Sequence, residues 1–245
     1  MHSRTISSLL LLALTSTVTG DSFDSSQCGK TKECFLPEKC AIGGNTNPCS
    51  LAFSHRSVNA THVEMELYAN ISSSGKLTAE KFYVAVGFSL DNKMGNDSVT
   101  ECSRLPGEQT ATIRASYNDY HMYNGSGTPT LSPWNRRIDG EAAQRSSIYS
   151  STTAQFADGI AYCKFTQRIG SFSNALPQEF LTTSIDTQYY ILLAQGATVD
   201  GALMHHHQTK PFVSDQMMAL RFSSSSTTSF ILSMVLSIAF ASRYV

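Results

Sequence analysis

Residues 81–103, KFYVAVGFSLDNKMGNDSVTECS, decide how this chain is read. The first nine are almost continuously apolar and rich in Val, Phe and Tyr, the pattern of a strand buried on both faces. LDNKMGND then breaks the run with residues that turns favour. SVTECS resumes as a second strand. Met94 is the odd residue in this stretch. A thioether usually fills a gap in a core, yet Met94 stands among Lys93, Gly95 and Asp97, where the chain turns.

The same rhythm extends in both directions. HVEMELYANI (62–71) alternates, with Val63, Met65 and Leu67 on one face. ATIRASYN (111–118), GIAYCKFTQRI (159–169), TQYYILLAQGA (187–197), GALMHHH (201–207) and QMMALRF (216–222) read as further strands. Residues 124–140, NGSGTPTLSPWNRRIDG, read as a loop. A short helix is expected around Leu176 to Leu181. Seven or more closely spaced strands with little helix predict an all-β antiparallel β-sandwich over residues 50–222.

The two ends read differently. Residues 1–20, MHSRTISSLLLLALTSTVTG, have the positive start, apolar stretch and small-residue end of an export signal. Residues 223–245 run from serines into an apolar tail, which suggests a glycolipid-anchor signal. A short membrane helix or a plain secreted tail are the alternatives. The protein is therefore expected to be secreted or held at the cell surface. Eighteen Lys and Arg balance nineteen Asp and Glu over the 245 residues, so no basic surface for nucleic acid is expected.

Residues 21–49 form a cysteine-rich segment holding Cys28, Cys34, Cys40 and Cys49. They lack the paired C-x-x-C knuckles of a zinc site, and an exported chain favours oxidation. Disulfides are expected, with three pairings open. Cys102 and Cys163 fall in predicted strands and suit a cross-strand or cross-sheet bridge. Asn59, Asn70, Asn96 and Asn124 each begin an N-x-Ser/Thr sequon, so a glycoprotein is expected.

For chemistry, no nucleophile elbow, phosphate loop or paired-histidine helix is present. The candidates are Met94 and the run His205-His206-His207. On a strand, the period of two puts His205 and His207 on one face and His206 on the other. At most two of them can then share a site. A thioether and an imidazole form a known axial pair for haem iron. The alternatives are a methionine that plugs the sandwich edge, an exposed histidine cluster, and a histidine-based copper or zinc site. Tyr117, Tyr120, His121 and Tyr123 would line a pocket or simply form an aromatic strand. Gly87, Phe88 and Asp91 read as structural: close approach, packing and turn capping.

The string YVAVGFSLDNKMGNDSVTEC (83–102) resembles the signature of DOMON domains: a strand ending in G-F-S, polar residues, M-G-x-D, then hydrophobic-x-x-C. YYILLAQGATVDGALMHHHQTKP is similar to their closing strands, where a histidine shortly precedes a proline. CGKTKECFLPEKC resembles the segment before this domain in ferric-chelate-reductase-like proteins. The resemblance implies an immunoglobulin-like sandwich outside the cytoplasm that binds haem b or sugars. In its cytochrome members one methionine and one histidine hold the iron. Met94 matches the methionine, and His207 matches best by its spacing to Pro211. His205 is the second choice, and His206 is expected to point away. The resulting expectation is an electron-transfer module with no catalytic domain of its own and an unidentified redox partner. The alternative is a cofactor-free module that binds glycans or mediates adhesion.

Overall fold

A computed structural model describes residues 22–44, 46–74, 77–78, 80–122, 131–137, 142–170, 184–199, 202–204, 206 and 211–222. The expected export signal, the helix around 176–181, Tyr123, Asn124, His205, His207 and the C-terminal tail lie outside them. The strands are β1 (Glu33–Phe35), β2 (Leu51–Asn59), β3 (His62–Asn70), β4 (Phe82–Ser89), β5 (Asp97–Arg104), β6 (Thr112–Met122), β7 (Leu131–Arg137), β8 (Tyr149–Ala157), β9 (Ile160–Arg168), β10 (Gln188–Gly196), β11 (Thr198–Val199), β12 (Ala202–Leu203), β13 (Phe212–Val213) and β14 (Met218–Ala219). One helix, α1 (Ala142–Ile148), precedes β8.

The strands form two antiparallel sheets. One has the order β1-β2-β3-β9-β8. The other has the order β13-β10-β4-β5-β6-β7, with β14 also on β10. A two-stranded hairpin, β11-β12, stands apart. Phe53, Met65, Leu67 and Phe165 from the first sheet meet Phe82, Val84, Val86, Ile191 and Leu193 from the second in one core. The predicted all-β sandwich is observed.

Neither sheet leaves its other face bare near the middle. The outer face of the five-stranded sheet, with Ala52, Tyr68 and Tyr162, is covered by Phe23, Cys40 and Cys49 of the N-terminal segment. Buried Lys32 pairs there with Glu66, which also accepts from Ser54 Oγ (2.6 Å) and Tyr162 Oη (2.9 Å). The Lys32 ammonium lies 4.4 Å from the centre of the Phe23 ring. On the other sheet, all eight residues of β4 are buried, as its continuous apolar run predicts.

All six cysteines are bridged. Cys28–Cys34 and Cys40–Cys49 close short local loops, and Cys102–Cys163 joins β5 of one sheet to β9 of the other with Cα atoms 6.4 Å apart. Such bonds form and persist in oxidising compartments.

Several strands escaped the sequence pattern, the short β1, β11 and β13 among them. β7 lies inside the expected 124–140 loop. It carries Pro133, which an edge strand tolerates, and it pairs only with β6. β8 is polar along most of its length and is the opposite sheet's edge. β2 precedes HVEMELYANI, the first stretch read as a strand. Helix α1 was not anticipated either. The expected GALMHHH strand stops at Leu203, so the alternation used to sort the three histidines does not reach them.

Candidate functional site

Met94 stands half-buried in the turn between β4 and β5. That turn is tied by its own polar side chains. Ser89 Oγ lies 3.2 Å from Asp91 Oδ1 and donates to Lys93 O at 3.1 Å. Asp91 Oδ1 accepts from Lys93 N at 2.9 Å. Asp97 Oδ2 accepts from Gly95 N at 2.6 Å. Gly95 has φ 143° and Asn96 has φ 56°. The first conformation is suited to glycine and the second is tolerated by asparagine. The M-G-x-D spacing thus has a local physical cause: two unusual backbone angles bring the Gly95 amide onto the carboxylate two residues later.

Asp97 is 1 % exposed. Burial pushes its carboxyl up from the ordinary 3.8 to about 6, and nearby Asp91 pushes the same way. The Gly95 amide and the Ser89 and Asn118 side chains oppose the shift. Asn118 is the cross-strand partner of Asp97 and accepts from Asn135 Nδ2 of β7 at 3.2 Å. Sequence reading missed Asp97, Ser89 and Asn118. The spacing of M-G-x-D was the available signal.

From this turn the outward face of β4 presents Ser89, Gly87, Ala85 and Tyr83 in succession. Their cross-strand neighbours include Leu192, Ala194 and Gly196 on β10 and Val99 on β5. A Cβ added at Gly87 would meet Leu192 at 3.4 Å, an ordinary contact. Glycine there is not forced by crowding; it keeps the floor low. At the far end, the Tyr83 ring lies against Gly196, where a Cβ would sit 2.5 Å from the ring. Tyr83 Oη donates to Met204 O at 3.0 Å and anchors the chain just before the histidines.

His206 is buried, 9 % exposed. Tyr117 is buried and shares its face of β6 with core residues Ile113 and Ala115, away from this floor. The side chains of Tyr120 and His121 are outside those described. Among the described residues no three His, Cys, Asp or Glu side chains gather as a metal cage. Met94 places a soft thioether in this turn, a donor suited to soft and borderline metals. On the outward face of β4, Tyr83 and Ala85 pack with Val99, Ala194 and Leu203.

Deeper in the second sheet's outer layer, Glu101 and Arg137 pair through two bonds, Nε–Oε1 at 2.6 Å and Nη2–Oε2 at 3.1 Å. Their side chains are 0 % and 5 % exposed. Asn59 and Asn96 are exposed, and Asn70 is half-buried at the end of β3. A groove of about 1100 Å³ runs elsewhere, between residues 33–40 and 212–222, and Met94 does not line it.

No described helix is long and apolar enough to cross a membrane. The chain is 26 % identical over 193 residues to human DOMON domain-containing protein FRRS1L, covering 79 % of this chain and 54 % of that one. The chain thus spans about half that relative's length. The Caenorhabditis elegans protein C44B7.5 is 28 % identical over 84 % of this chain and 77 % of its own. Human ferric-chelate reductase 1 is 28 % identical over 76 % of this chain and 26 % of its own. A solved structure, the cytochrome domain of Myriococcum thermophilum cellobiose dehydrogenase, overlaps with a TM-score of 0.41 at 10 % identity, over 82 % of this chain and 94 % of that one. That likeness is too loose to bear on function. The DOMON domain profile matches residues 59–196, more than half of the sequence. The chain belongs to the DOMON family.

Proposed function

We propose that this protein is an extracytoplasmic electron-transfer module that holds haem b between Met94 and His207, with His205 the second choice for the imidazole. The observation that carries this reading is the Met94 turn. A soft sulfur stands in a turn tied by its own polar side chains, within the motif that carries the family resemblance. Bound haem would supply a one-electron centre. The chain's own residues would supply the rest: Met94 and the histidine as the donors that would hold it, and Tyr83 as the anchor for the chain just before the histidines.

A thioether donor stabilises the reduced iron and raises the potential. Met94 and a histidine would both be committed to holding the haem, which leaves neither side chain for chemistry on a substrate. The protein would therefore act as a redox component with a separate partner and not as an enzyme. Relatives named for ferric-chelate reduction support a redox role. Disulfides and four sequons support export.

The test is the absorption spectrum of the secreted protein loaded with haem. A sharp reduced α-band is expected, lost in Met94→Ala and His207→Ala. A band that survives both changes overturns the ligand assignment. No binding at all, together with a glycan-array signal from haem-free protein, would favour the cofactor-free glycan-binding reading instead.

A further inference from the structure

We propose that Asp97 is the positioning residue for Met94: its buried carboxylate clamps the Gly95 amide and so fixes the direction in which the adjacent sulfur is presented. This rests on the haem reading above and adds to it a residue that does not touch the group.

The geometry is specific. The Asp97 carboxylate is walled off from water and accepts the Gly95 N–H at 2.6 Å. That amide belongs to the residue directly after Met94. Gly95 and Asn96 both hold positive φ, so this turn does not follow ordinary backbone preferences and needs an acceptor to hold it. The carboxylate is backed by Ser89 at the end of β4 and by Asn118 on β6, which Asn135 of β7 braces in turn. Thus β4, β5, β6 and β7 all feed the placement of one turn. Ser89 also reaches Lys93 O, on the other side of Met94. The peptide groups flanking Met94 are each tied, one through Asp97 and the other through Ser89. An axial thioether must point within a narrow cone at its metal, and supporting bonds of this kind set that direction.

The experiment uses the full secreted chain in two states. In haem-free protein, amide exchange at Gly95 is followed by NMR. Asp97→Ala is expected to speed it about tenfold, the loss of one hydrogen bond to a charged acceptor. Core amides such as Val84 and Leu193 should keep their protection. In haem-loaded protein, the same variant is expected to keep haem through the histidine but lose the long-wavelength methionine–iron band. If Asp97→Ala does not fold, Asp97→Asn carries the test, since it keeps the shape and an acceptor oxygen without the charge. It should show faster Gly95 exchange and a weakened methionine–iron band. Wild-type Gly95 exchange, or a wild-type spectrum, in the folded variant overturns the proposal while the haem reading stands. A wild-type protein with no methionine–iron band overturns both.

Discussion

Two buried titratable residues pull stability in opposite directions. Asp97 has its pKa raised to about 6, so its contribution is full below the ordinary 3.8 and is lost as pH rises through about 6. His55 is 1 % exposed, and burial depresses its pKa from 6.5 to about 4. Its contribution is full above pH 6.5 and is lost as pH falls through about 4. Either effect is worth about 3 kcal/mol between its limits. Neither ring nitrogen of His55 meets hydrogen-bond geometry, although the Leu220 backbone partly opposes the shift. His55→Leu therefore removes a buried imidazole whose contact with the Leu220 backbone falls short of hydrogen-bond geometry. The variant is expected to melt above wild type, with a gap that widens as pH drops from about 7.5 to about 4.5, because only the wild-type unfolded chain then gains a proton at this position. Thermal melts across that range check it, and a narrowing gap would contradict it.

Among the elements, β7 shows how an edge strand is fixed without apolar payload. Arg137 reaches across β6 to Glu101 on β5, and Asn135 bonds Ser116 Oγ at 2.9 Å on β6. Arg137→Ala would take the two-bond partner from a fully buried carboxylate that Arg114 still faces on β6, and should cost about 3 kcal/mol, read from urea unfolding. Replacing both partners with leucine should cost far less. Equal losses in the two variants would show that β7 is held by something other than the pair. This strand also marks where sequence reading stopped. β4 announced itself through its unbroken apolar run. β7 looked like a loop because its anchoring is polar and its partner lies 36 residues earlier. β8 carried a readable sign: Ala157 and Ile160 pair around Asp158-Gly159, both with positive φ, a hairpin turn written in the sequence. Met94 was legible because an apolar residue stood among turn formers. Asp97 was not, since burial of a turn carboxylate depends on β6 arriving beside it. The histidines were sorted by a strand period that ends before them.

For the whole molecule, the bond that matters most to stability joins the layers. Cys102–Cys163 spans 61 residues and links the two sheets through the core. In the chain-entropy view, closing a loop of that length restricts the unfolded chain by about 4 kcal/mol. Cys102→Ala with Cys163→Ala should lower stability by about that amount in denaturant unfolding, and a loss under about 1 kcal/mol would show the sheets hold without it. The other two bridges enclose only 6 and 9 residues and act within the N-terminal segment. What holds that segment to the sandwich is the Lys32–Glu66 pair and the apolar contacts around Phe23, Tyr68 and Tyr162.

That covering layer sets where the protein can be cut. The family profile begins at residue 59, at the end of β2, and stops at residue 196, at the end of β10. An expression clone trimmed to those limits would drop β1 and β2, strip Tyr68 and Tyr162 of their cover, and remove β13 and β14 from the edge of β10. It would offer an unpaired β3 edge and a fresh apolar face to its neighbours, an invitation to aggregate. A span from Phe23 to Leu220 keeps both sheets paired and both layers covered.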